Sequence, residues 1–237
     1  MIESGPLGRL MVTARMVFFA LISYAETESA PFAGLMLTQT ESTPLMTTTR
    51  AAAPRRADAQ RSRALLLEAA AEAFTATENP TFKDIAKAAG VGIGTLFRHF
   101  PTREALVEAV YRAELDNLCA GASDLLDTMS AENAMRAWMA KWRTFVATKR
   151  GMADVLQALA ATGTVTKSQT GAQLTEAIAV ILGAGSAAGT LRGDVRAEDV
   201  TAVLTGILVV AGSPEQEDQA TRLLDLLLVG LKDTRQS

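Results

Sequence analysis

From residue 61 onward, apolar side chains return every three to four positions, the spacing of one helix face. Leu65, Leu66, Ala69, Ala70, Ala73 and Phe74 predict a first helix over 58–76. Pro80 and the polar residues before it break that helix. Thr81 then stands as an N-cap, with Asp84 three residues on as a near capping box. Phe82, Ile85 and Ala86 predict a second helix over 82–89, and Gly90 suits the left-handed turn that would end it. A third helix follows over 92–99, with Leu96 and Phe100 turned inward and Thr95, Arg98 and His99 turned elsewhere. Thr102 caps a long fourth helix over 103–127 that would link two domains. Further helices are predicted over 131–149, 151–161, 167–187, 197–211 and 215–232. No stretch of more than a few residues alternates in the strand manner. The fold class is therefore all-α, with about nine helices.

Short helix, glycine turn, short helix over 81–100 is the helix-turn-helix arrangement. Such helices are too short to stand alone, so the first and fourth helices must supply a base. Together these define a three-helix helix-turn-helix DNA-binding domain over 58–118. A second helical domain follows over 119–233. In it, Met135, Trp138, Met139, Trp142, Phe145 and Val146 form one broad apolar face. Met135, Trp138, Met139, Trp142 and Phe145, with Leu156 and Leu159, either line a pocket for a mostly apolar ligand or form ordinary core. The stretches 200–210 and 223–231 are apolar nearly all round. A surface helix carries a polar face. These last two helices, about 197–232, therefore either pair with a second copy of the chain or fill a deep monomer core.

Composition narrows the classes. The net charge of −3 over 237 residues argues against a wholesale polyanion binder, though not against a local basic patch. Between 55 and 118 nine basic residues face nine acidic ones, so segregation matters more than the sum. Arg50, Arg55, Arg56, Arg61 and Arg63 cluster before or at the start of the first helix, interrupted only by Asp58. This arm either lies in a minor groove or serves as a solubilising tail. One cysteine, Cys119, allows no intrachain disulfide and no thiol metal cluster, which fits a reducing cytoplasm. One histidine, His99, leaves no His-pair catalysis and few metal sites. An enzyme is the main alternative class, but with no phosphate loop either, neither an enzyme nor a cofactor is expected, and the second rival is a secreted or membrane-tethered helical adaptor. That rival rests on residues 1–54. Arg9 and Arg15 precede the apolar run 16–22 in the manner of a secretory signal, too short to span a membrane. Residues 26–49 are Thr-, Ser- and Pro-rich and read as disordered. An exported DNA-binding domain makes no physical sense, so an over-extended start is favoured, with Met46 as the alternative beginning.

The stretch Ala69-Ala70, Ala73-Phe74, then Thr81-Phe82-Lys83-Asp84-Ile85-Ala86-Lys87-Ala88-Ala89-Gly90-Val91 and Gly92-Ile93-Gly94-Thr95-Leu96-Phe97-Arg98-His99-Phe100-Pro101-Thr102-Arg103 resembles the TetR family signature. The resemblance implies a regulator that binds a double-stranded operator as a dimer and answers to a small molecule. It places the third helix in the major groove, with Ile93, Gly94 and Thr95 at base edges. It places Thr81, Lys83, His99 and Arg103 toward phosphates, and makes Gly92, Phe97 and Arg98 part of the same surface. The family usually has Tyr at Phe97, whose hydroxyl binds a phosphate; Phe97 loses that contact. Phe97 and Ile93 suit the core as well as DNA, and His99 suits a half-buried position as well as a phosphate. Gly92 and Gly94 cost about 1 kcal/mol each in helix propensity and in exchange let the backbone approach DNA. The stretch 189–195 with Asp199-Val200 resembles the C-terminal half of one TetR subgroup of soil actinobacteria.

Overall fold

A computed structural model describes residues 52–77, 79–211 and 214–233. The expectations for residues 1–51, from the signal-like run to Met46 and Arg50, lie outside the described residues, as do the side chains of Arg55 and Arg56. The described residues form nine α-helices. They are α1 Ala52–Ala76, α2 Phe82–Ala88, α3 Ile93–His99, α4 Arg103–Leu126, α5 Ala131–Gly151, α6 Ala153–Ala161, α7 Lys167–Ala187, α8 Ala197–Ala211 and α9 Glu217–Leu231. A short 3-10 turn, Pro214–Gln216, leads into α9. The first helix begins six residues before the predicted 58. Ala52 and Ala53 are strong helix formers, and Pro54 sits in the first turn, where a missing N–H has no intrahelical partner to lose.

Local chemistry sets the helix ends. Thr81 Oγ1 accepts a hydrogen bond from the Asp84 N–H at 3.2 Å and donates to Asp84 Oδ2 at 2.5 Å. A capping box would send the acidic side chain back to the cap's own N–H. Asp, one methylene shorter than Glu, meets the cap hydroxyl instead. At the other end of α2, Gly90 takes φ +67°, the Gly90 N–H binds the Lys87 carbonyl and the Val91 N–H reaches back to Ala86. This Schellman closure turns the chain directly into α3.

One contiguous apolar core runs from Leu66 in α1 to Leu231 in α9. Leu66, Phe74, Ile85, Leu96 and Leu106 are wholly or almost wholly buried around the three N-terminal helices, the head. In the remainder, the body, Trp138 is fully buried and its indole N–H donates to the Leu118 carbonyl at 3.0 Å. The α4 helix is continuous through the 118/119 position where the sequence suggested a boundary. Contacts with the body already begin at Tyr111, whose ring lies 5.7 Å from that of Phe145, and at Arg112, which donates to the Thr164 carbonyl. The outermost helix, α9, is strapped antiparallel to α5 by three ion pairs: Glu132–Lys232 at 2.7 Å, Arg136–Asp225 at 2.7 Å and Arg143–Glu217 at 2.5 Å.

Candidate nucleic-acid interface

The seven residues of α3 divide cleanly. Leu96 is fully buried and holds the helix to the head. Flanking it, Ile93 is 43% exposed and Phe97 is 49% exposed. Gly94 and Arg98 are exposed as well, while Thr95 and His99 are half-buried. Phe97 therefore lies outside the core, with its ring packed 5.2 Å from that of Phe82 on α2. The pair braces α3 against α2 and still leaves half of Phe97 open. Ile93 and Phe97 are thus two large apolar side chains left open on one short helix.

The expected phosphate contacts fare differently. Thr81 and Lys83 are exposed beside α3, although the Thr81 hydroxyl is engaged with Asp84. Gly92 is the exposed N-cap of α3 and supplies no side chain to cover the helix end. A Cβ built at Gly92 or Gly94 would meet nothing within 4 Å, so internal packing demands neither glycine. Arg103 takes an unforeseen place. Its guanidinium donates to the Pro80 carbonyl at 2.9 Å and lies 5.3 Å from the centre of the Phe74 ring. It clamps the corner between α1 and α2. Arg63 does similar work from α1, lying 5.4 Å over the Phe100 ring at the end of α3.

Met135, Trp138, Met139, Trp142, Phe145, Leu156 and Leu159 do come together in the body, all of them buried. They form packed core. A groove of about 740 Å³ lies elsewhere, between α1, α4 and α5, and none of these seven lines it. Its lining includes Ala64, Leu67 and Ala71 from α1, Ala113 from α4 and Thr148 from α5. Arg143 is engaged with Glu217 rather than turned to a ligand. Among the described residues no group of His, Cys, Asp and Glu could hold a metal ion, and no helix is long and apolar enough to cross a membrane.

Comparison with known proteins places this geometry. Residues 66–110 match the bacterial regulatory proteins of the tetR family, and residues 130–233 match the SbtR-like C-terminal domain of transcriptional regulators. A TetR transcriptional regulator from Streptomyces coelicolor is 40% identical, with a TM-score of 0.67, over 73% of this chain and 99% of that one. The chain belongs to the TetR family. A TetR transcription regulatory protein from Mycobacterium vanbaalenii is 30% identical, with a TM-score of 0.59, over 76% of this chain and 99% of that one. A transcriptional regulator from Cytophaga hutchinsonii, 19% identical with a TM-score of 0.54 over 72% of this chain and 97% of that one, shares the fold. No curated protein matches. As a TetR-family member the protein is a DNA-binding transcriptional regulator, not an enzyme.

In this TetR-family regulator the sequence pattern left three features unseen. The Arg103 clamp needs Phe74 and Pro80 brought together by the α1–α2 turn, which spacing alone does not show. The Phe82–Phe97 pair joins residues fifteen apart on different helices. Gly151, at the end of α5, touches α1 so closely that a methyl there would overlap the Phe74 carbonyl oxygen. The sequence pattern puts Gly151 at the start of the next predicted helix, 151–161, with no sign of that contact.

Proposed function

We propose that this regulator is a cytoplasmic repressor that grips a near-palindromic operator as a twofold dimer and is released by a small molecule. The observation that carries it is the face of α3: Ile93, Gly94 and Phe97 open to solvent on a helix whose one buried residue is Leu96. Ile93 suits a thymine methyl and Thr95 a base edge in the major groove. Lys83, Arg98 and His99 supply the flanking phosphate contacts, with the Thr81 hydroxyl beside them.

Dimerisation is supported by the outer faces of α8 and α9. Both helices bury one side, through Val200, Leu204 and Ile207 and through Leu224, Leu228 and Leu231. Yet Val203, Val210, Leu226 and Val229 stand 45–68% exposed on the other. Gly206 and Gly230 share that outer surface, with open space above each. A second copy packed here would form a four-helix bundle and set two α3 helices about 34–36 Å apart, one turn of DNA.

An effector entering among α4 to α7 would repack Met135 and Met139, whose unbranched side chains rearrange at low cost. Its binding and DNA binding would oppose each other by equal factors. The test is a gel shift with DNA upstream of the protein's own gene, at several salt concentrations. Sequence-preferring, salt-sensitive binding that falls when a co-purified small molecule is restored is expected. Absence of binding at every salt concentration would sink the proposal.

A further inference from the structure

The head is joined to the body twice. The α4 helix runs without a break from one to the other, and α1 lies along α5. The seam between these joints is not filled: the groove lined by Ala64, Leu67 and Ala71 of α1, Ala113 of α4 and Thr144 of α5 lies open. Besides the continuous α4, the angle of the head therefore rests most directly on the end of α1, where Phe74 and Thr75 meet Thr148 and Gly151 of α5.

The chemistry of that joint is specific. Thr148 is 1% exposed, the only serine or threonine so buried among the described residues. A buried hydroxyl is costly unless it is paired. Thr148 Oγ1 stands 2.8 Å from Thr75 Oγ1. Each hydroxyl also reaches a carbonyl of its own helix, Thr75 that of Ala71 at 2.9 Å and Thr148 that of Thr144 at 3.1 Å. Two hydroxyl protons thus serve three contacts. While the helices touch, one proton crosses between them and the other returns to its own helix. When they part, both return, and neither donor is left unpaired. Three residues on, Gly151 lies so close to the Phe74 backbone that a side chain has no room, and glycine has nothing to interlock. Such a joint is close enough to set an angle and yet separates without orphaning a buried group. Phe74 also carries the Arg103 guanidinium on its ring, so the joint bears on the corner between α1 and α2.

We infer that Thr75, Thr148 and Gly151 are positioning residues for DNA binding, which latch the head to α5 at the angle where both α3 helices of a dimer meet their half-sites. The inference rests on the operator-binding reading above and adds to it the residues that set the spacing of the two heads.

The test reads the joint in two ways. The full chain is spin-labelled at two exposed positions, through Ala88→Cys in α2 and Gln157→Cys in α6, in a Cys119→Ser background. Dilution into unlabelled protein confines the measured distances to one protomer. Thr148→Ser, which keeps the hydroxyl, should match the parent distribution. Thr148→Val should broaden it. Gly151→Ala should move its maximum by about 1 Å or more, since the Phe74 carbonyl must retreat to ordinary contact at about 3.5 Å. Unchanged distances in both variants overturn the inference. The unlabelled variants are then titrated with a duplex selected by the wild-type protein, and with duplexes whose half-sites stand one base pair closer or farther apart. Thr148→Val should bind the selected duplex about tenfold more weakly and lose the preference for its spacing, and Thr148→Ser should restore both. A variant that is merely less stable weakens on all three duplexes alike; that result, or undiminished affinity, overturns the inference. Should Thr148→Val or Gly151→Ala fail to fold, Thr75→Ala at the exposed rim removes the same cross-helix bond and is read by the same two measures. If the wild-type protein binds no DNA at any salt concentration, the operator-binding reading falls, and the distances alone decide the joint.

Discussion

Substituting Gly94 by alanine sets the needs of the chain against the needs of its DNA partner. Gly94 is the second residue of α3, its backbone is not left-handed, and a Cβ there meets nothing within 4 Å. The protein itself therefore gains from alanine. A full helix-interior position is worth about 1 kcal/mol, and this first-turn position about half that. The melting temperature should rise by about 1–2 °C for a chain of this size. On DNA the sign reverses. If the α3 backbone lies against base edges at Gly94, an extra methyl overpacks that contact at a cost of about 1–3 kcal/mol. That is a loss of roughly 5- to 150-fold in affinity. Fluorescence anisotropy on a duplex selected from random sequence by the wild-type protein, beside scanning calorimetry, measures both quantities. Wild-type affinity in the variant at matched salt refutes the close backbone approach. Melting several degrees lower refutes the premise that the fold has no use for the glycine.

Three further outcomes follow from side chains on the page. Leu226→Asp, at the most exposed leucine of α9, should leave a folded monomer in sedimentation and weaken operator binding; an unchanged dimer would move the interface elsewhere. Arg103→Ala removes the hydrogen bond to Pro80 and the stack on Phe74, and should cost about 1–3 kcal/mol of stability by denaturant titration. An unchanged melt with a salt slope of DNA binding flatter by about 1 would instead mark Arg103 as a phosphate contact and refute the clamp. Burial pushes the Cys119 thiol up to about 11. At pH 8 only about one thiol in a thousand is then ionised, against about a quarter for a free thiol; the scarcer thiolate is about tenfold more nucleophilic, so a disulfide reagent should label the folded protein roughly twentyfold more slowly than glutathione. Labelling within tenfold of glutathione would refute that burial.

The helices were legible because their signals are local. Thr81, Gly90 and Thr102 mark ends through hydrogen bonds within a few residues of themselves, and the structure closes each helix there. The apolar spacing of 65–74 was equally plain, whereas the start of α1 was missed because alanines carry no periodic contrast. On α3 the buried Leu96 and the exposed Arg98 were readable, whereas Ile93 and Phe97, about 60° and 100° round from Leu96, read as well for core as for surface. What could not be read depends on which helices meet. Arg103 has the same spacing to α3 whether it faces a phosphate or Phe74. Trp138 and its neighbours present one apolar face whether that face lines a cavity or fills one. The groove is built from small residues of three helices, each unremarkable along its own helix.

The three ion pairs between α5 and α9 have a mechanical consequence. They bind the helix that carries the outer apolar face to the helix whose last residue touches α1. With 21 residues, α5 is a rod of about 30 Å. Fastened along Glu132 to Arg143 and pressed on α1 at Gly151, α5 ties any displacement of α9 directly to the head.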